Sequence, residues 1–142
     1  MLYDSGFTTL KLANVFDDAS LSTCAADYND TSSSDTKVIV KLNKCDEEKA
    51  IMSPVFLVHP AGGSITSFGN IATHISDRCM YGIQWSDKYR NVPSLRELAS
   101  EYVKELKVIQ PRGPYTIGGF SLGAAIAWEI CHMLEANGEQ VR

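Results

Sequence analysis

The segment Tyr115-Thr-Ile-Gly-Gly-Phe-Ser-Leu-Gly-Ala-Ala-Ile-Ala-Trp128 constrains this chain more than any other. Tyr115 to Gly119 reads as a short β-strand, and the alanine-rich run after Ser121 reads as a helix. Between them stands Gly119-Phe120-Ser121-Leu122-Gly123, a G-x-S-x-G pattern. In a strand–turn–helix context that pattern lifts a serine hydroxyl above the end of a sheet. The elbow glycines Gly119 and Gly123 have a steric reason: a Cβ at either place would meet the adjoining backbone of so tight a turn. A bare G-x-S-x-G arises by chance in roughly one chain in twenty of this length. The weight therefore rests on the strand before it and the helix after it, both legible here.

The rest of the chain supplies the frame for such a turn. Thr36 to Leu42 is β-branched and reads as a strand; Pro54 to His59 is a second, almost wholly apolar one, as expected for a strand buried on both faces. It runs into the glycine-rich loop His59-Pro60-Ala61-Gly62-Gly63-Ser64. A helix is predicted over Ile65 to Ser76, with Phe68, Ile71, Ala72 and Ile75 on its apolar face. Cys79 to Gln84 is a third strand. Ser94-Leu-Arg-Glu97 is a capping box, and Leu95, Leu98, Ala99, Tyr102, Val103, Leu106 and Ile109 then recur at helical spacing. Pro111-Arg-Gly-Pro114 ends that helix. The helix after Ser121 ends near Asn137-Gly138, and Glu139 to Arg142 reads as the approach to another strand. Strands alternating with helices imply an α/β fold: a mostly parallel sheet with helices on both faces.

Residues 1–35 differ from the rest. Ser20 to Asp35 is dominated by Ser, Thr, Asp, Asn and Ala and cannot bury enough apolar surface to offset its ordering entropy. We read 1–35 as a flexible linker or the remnant of a preceding domain, and 36–142 as the folded part. Charge is also uneven: residues 1–50 carry nine acids against five lysines, and the remainder balances. Nothing reads as a basic patch, which argues against nucleic acid as a partner. Four cysteines (Cys24, Cys45, Cys79, Cys131) form no C-x-x-C, so neither a metal site nor a redox motif is expected. Cys79 and Cys131 are expected to be buried free thiols. With no apolar N-terminal run and no long apolar stretch, the reading is a cytoplasmic chain without a membrane span.

A serine becomes a useful nucleophile when a base can take its proton. Ser121 is the candidate nucleophile. His132 lies eleven residues further on the same predicted helix, about 16 Å away at 1.5 Å per residue, too far to be that base. His74 falls among predicted core positions and reads as structural. His59 ends a strand beside the glycine loop, where loop packing suits it better than base chemistry. Alpha/beta-hydrolases order their triad Ser, acid, His along the chain. By that order both partners would follow Arg142, so the reading is a C-terminally truncated alpha/beta-hydrolase fold. The oxyanion hole is assigned to the backbone N–H of Leu122, directly after the serine, and of Ala61 in the glycine loop.

Several motifs fall in a familiar order: Pro54 to Ser64, Tyr81-Gly-Ile-Gln84, Ser94 to Tyr102, Val108 to Tyr115, and Gly118-Gly-Phe-Ser-Leu-Gly123. From Thr36 onward the chain resembles the thioesterase domain that closes animal type I fatty acid synthases. The same pattern occurs in thioesterases of polyketide and nonribosomal peptide synthases. The resemblance implies hydrolysis of a fatty acyl thioester delivered on the phosphopantetheine of an acyl carrier domain. Ser121 would form an acyl-enzyme, with no cofactor bound by the chain itself, and the parent synthase would be homodimeric. The alternatives are release from a polyketide or peptide synthase, for which cyclisation is one route, and a catalytically incomplete fragment. Asp4-Ser5 matches a carrier's phosphopantetheine site only in part, since Gly6 stands where that pattern has leucine.

Overall fold

A computed structural model describes residues 37–142. The linker or carrier reading of residues 1–35, the Asp4-Ser5 pair and Cys24 lie outside the described residues. Four strands form one sheet: β1 (Ile39–Lys41), β2 (Val55–Val58), β3 (Met80–Ile83) and β4 (Thr116–Gly119), in the order β1-β3-β2-β4. β2 is parallel to both β3 and β4, and β1 pairs antiparallel with β3. The register places Val58 opposite Ile83 on one side and Gly119 on the other. The carboxyl ends of β2, β3 and β4 therefore come level, and the loops leaving them meet at one edge, where open α/β sheets place their sites.

Alternation along the strands divides the interior. Phe56, Val58, Tyr81 and Ile83 point to one face and pack against two helices, α2 (Leu95–Ile109) and α3 (Leu122–Ala136). There Leu98, Tyr102, Leu106, Ile126, Ile130 and Leu134 are fully buried, each worth about 1.5–3 kcal/mol relative to exposure for the aliphatic ones. Gly82 points the other way, where a Cβ would lie 2.8 Å from Ile65 Cδ1. Ile65, Phe68 and Ala72 are buried on that second face. Ile65 precedes a 3-10 turn (Thr66–Phe68) that holds Phe68, and Ala72 ends the short helix α1 (Gly69–Ala72). Both faces of the sheet are covered, as the strand–helix alternation predicts.

Helix α2 starts where the capping box places it. Ser94 Oγ accepts the Glu97 N–H at 3.2 Å and donates to Glu97 Oε2 at 2.6 Å. Of the predicted apolar face, Leu98, Ala99, Tyr102 and Leu106 are buried and Leu95 and Val103 partly buried, whereas Ile109, in the last turn, is 43% exposed. Gly138 follows α3 with φ 79°, the left-handed position expected of it. Tyr115 bridges Val141 in parallel, so the chain does begin a strand beside β4.

The helix predicted over 65–76 is where the sequence misleads. Only four residues, Gly69–Ala72, are α-helical. Ile71 is 55% exposed, and His74 is exposed rather than part of the core. The Asn70 carbonyl accepts from Thr73 Oγ1 and from His74 Nδ1, both at 2.8 Å. The His74 amide then bonds back to Ile71 instead of Asn70, which tightens and ends the turn. Gly, Asn and Thr are also weak helix formers. Cys79 is buried as expected, but Cys131 is only half-buried, at the flank of α3. Among the described residues no helix is long and apolar enough to cross a membrane.

The Ser94 cap carries a stability prediction. Ser94→Ala removes the acceptor for the Glu97 amide and lowers unfolding free energy by about 1 kcal/mol. Urea denaturation should show a lower midpoint with an unchanged slope.

Candidate active site

Ser121 sits at the turn between β4 and α3 with φ 56° and ψ −123°, the single non-glycine residue of positive φ among those described. Such a conformation costs a side-chain-bearing residue on the order of 1–3 kcal/mol and persists only when its surroundings enforce it. Here two close backbone approaches enforce it. A Cβ on Gly119 would fall on the carbonyl of Gly123. A Cβ on Gly123 would fall on the carbonyl of Val58 and lie 2.5 Å from that of His59. The helix entrance is thus seated on the end of β2, and the chain must turn sharply at Ser121 to reach it. Ser121 is exposed, while Gly123 beneath it is buried.

The two amides expected as oxyanion donors belong to different loops at the carboxyl edge of the sheet, Leu122 after β4 and Ala61 after β2. Leu122 is the first residue of α3, and the next two amides make turn bonds: Gly123 N–H to Phe120 O at 2.9 Å and Ala124 N–H to Ser121 O at 3.0 Å. The amides of Leu122 and Ala61 have no backbone acceptor among the described residues. A free amide in the first turn of a helix is an anion-stabilising group. Ala61 belongs to the loop leaving β2, which is closed by Gly63 N–H to Pro60 O at 2.9 Å and tied to the β3 end by Trp85 N–H to Gly63 O at 2.9 Å. Gly63 has φ 74°, and a Cβ there would lie 2.8 Å from Trp85 Cβ.

His59 is fully buried and both its nitrogens are engaged. Nδ1 lies 2.7 Å from Pro60 O, and a carbonyl only accepts, so Nδ1 carries the proton. Nε2 then accepts from the Tyr102 hydroxyl at 2.8 Å. Burial disfavours the imidazolium and holds the His59 pKa below its ordinary 6.5, against the opposing pull of the Pro60 carbonyl. Burial likewise pushes the Tyr102 phenol far above its ordinary range. The structure thus gives His59 the packing role the sequence favours and withdraws it as a base. His132 stacks on Trp128 well along α3, with rings 5° from parallel. Tyr102 went unread as part of the site because it fell on an apolar helical stripe. The signal was its hydroxyl, which a buried tyrosine has to pair.

Comparisons with known proteins converge on one family. The sequence model of the family described as "Thioesterase domain" matches residues 53–142. The chain is 41% identical over 92 residues to the nonribosomal peptide synthetase pngA of Aspergillus terreus, covering 63% of this chain and 10% of that protein. Among solved structures, the NocB thioesterase domain in covalent complex with a fluorophosphonate nocardicin G analogue aligns with a TM-score of 0.64 at 25% identity, over 72% of this chain and 46% of that one. The four-domain nonribosomal peptide synthetase AB3403, bound to AMP and glycine, aligns with a TM-score of 0.62 at 31% identity, over 74% of this chain and 8% of that one. The chain spans about a tenth of the length of the curated relatives it matches. The curated relatives pngA and atqA and the AB3403 structure are nonribosomal peptide synthetases, which corrects the likeness to animal fatty acid synthases in favour of the peptide-synthase one.

Two predictions follow the steric and electrostatic pattern of the site. Gly123→Ala, which sets a methyl against two strand-end carbonyls, destabilises by about 1–3 kcal/mol or more. Gly62→Ala, with nothing within 4 Å of its would-be Cβ, stays within about 0.5 kcal/mol of the parent in denaturant unfolding. The second concerns pH. The unfolded chain protonates its His59 near 6.5 while the folded chain resists doing so. The stability from keeping His59 neutral is complete above 6.5 and is lost as pH falls through that value toward the lowered one. His59→Asn should flatten that part of the stability–pH curve.

Proposed function

The chain belongs to the thioesterase domain family, and on that premise we propose that Ser121 accepts an acyl or peptidyl group from a carrier-bound phosphopantetheine thioester in a multidomain synthetase. The observation that carries this reading is the enforced bend at Ser121, which leaves the serine exposed at the sheet edge, with the Leu122 amide next to it in the chain making no backbone hydrogen bond. Ser121 Oγ would attack the thioester carbonyl, forming an oxyester as the carbon–sulfur bond breaks and the pantetheine thiol leaves with a proton. The amides of Leu122 and Ala61 would receive the oxyanion. Preorganised donors of this kind are worth about 2.7–4 kcal/mol each in comparable sites. Water, or a nucleophile within the bound chain, would then cleave the oxyester. The proton of Ser121 goes to a base that His59, His74 and His132 do not supply.

The relatives support release from a peptide synthetase over release of a fatty acid. The G-x-S-x-G turn and the loop after β2 serve either outcome, because both begin with the same acyl transfer. The acyl carrier domain therefore stays in the proposal as partner, and the nature of its cargo is what distinguishes the two readings.

The test is fluorophosphonate labelling of the full-length gene product, together with turnover of pantetheine thioesters. Ser121→Ala should abolish labelling and lower kcat by at least about a thousandfold. Undiminished labelling of that variant would remove Ser121 as nucleophile. A palmitoyl thioester turned over faster than a peptidyl one would restore the fatty acyl reading.

A further inference from the structure

The loop that carries Ala61 is held from an unexpected direction. Pro60 O accepts two hydrogen bonds, from Gly63 N–H at 2.9 Å and from His59 Nδ1–H at 2.7 Å. A trans peptide is planar and its C=O and N–H point in opposite directions. The Pro60 carbonyl and the Ala61 N–H belong to one such plane. Pinning the carbonyl inward therefore fixes the direction of the Ala61 N–H outward. The imidazole that does the pinning is in turn fixed by Tyr102, whose hydroxyl donates to Nε2 at 2.8 Å from a fully buried position on α2. The rings stand edge to face, with centroids 5.8 Å apart at 83°, and Trp85 also meets His59 edge-on, at 6.4 Å. The His59 backbone N–H is also held, by Ile83 O at 3.0 Å.

We propose that His59 and Tyr102 are positioning residues: through the Pro60 carbonyl they aim the Ala61 amide, so that helix α2 sets one donor of the oxyanion hole. The inference rests on the reading of Ser121 as nucleophile. It gives His59 a task that needs a neutral imidazole protonated at Nδ1, and it gives α2, which supplies no group to the reacting atoms, a part in the chemistry.

The experiment measures phosphonylation of the full-length gene product by a fluorophosphonate, separating probe affinity from the maximal rate. It is paired with hydrogen exchange at the Gly63 amide. His59→Ala should lower the maximal rate by about a hundredfold with probe affinity unchanged, and should speed Gly63 exchange. Tyr102→Phe should lower the rate by about tenfold. His59→Asn keeps an N–H within reach of the Pro60 carbonyl and should recover most of the rate and the Gly63 protection. A His59→Ala rate within about twofold of the parent would overturn the inference. So would a His59→Asn variant as slow as His59→Ala, since that would mark the imidazole as a base. If Ser121→Ala still labels, the nucleophile reading fails separately. The Gly63 amide then decides alone, and unchanged exchange in His59→Ala refutes the clamp.

Discussion

The contact of Gly123 with the carbonyls of Val58 and His59 is the constraint on which the site depends. It seats the entrance of α3 on the end of β2 more closely than any side-chain-bearing residue allows. Because β4 is paired with β2 in fixed register, the distance available between Gly119 and Gly123 is also fixed. The chain can cover it only through a left-handed bend, and the residue at that bend is Ser121. The strained backbone and the exposure of Ser121 are consequences of these close approaches, and the amide of Leu122 is left free by its place in the first turn of α3. The α/β core behind it, where Ile126 and Ile130 lock α3 against Phe56 and Val58, holds that approach in place.

Much of this was readable beforehand, for specific reasons. The strand, elbow and helix around Ser121 are dictated by local sterics, and glycine is the residue such crowding selects. Helix α2 carried its own start signal in Ser94 and Glu97. What could not be read was decided by tertiary competition. The apolar spacing of Phe68, Ile71, Ala72 and Ile75 suggested three turns of helix. Two side chains competing for the Asn70 carbonyl ended it after one. His74 accordingly moved from the expected core to solvent, and Ile71 with it. The pairing of His59 with Tyr102 spans 43 positions and has no local signature. It exists because β2 and α2 pack together.

The same distinction explains why the family was clearer than the cargo. The elbow and the glycine loop are fixed by close backbone contacts that select particular residues in a particular order, so those motifs reach the family and stop there. Which acyl group is released depends on surfaces that contact the remainder of the substrate, and those have no comparably rigid steric rule. Relatives that are peptide synthetases shift the expectation accordingly.

The central claim is that packing forces Ser121 into a conformation its side chain disfavours. Comparing the unfolding free energies of Ser121→Gly and Ser121→Ala tests it directly, since both remove the hydroxyl and only glycine relieves the bend. The account predicts that the glycine variant is the more stable by about 1–2 kcal/mol. An alanine variant as stable as the glycine one, or more so, would show a relaxed turn and contradict it.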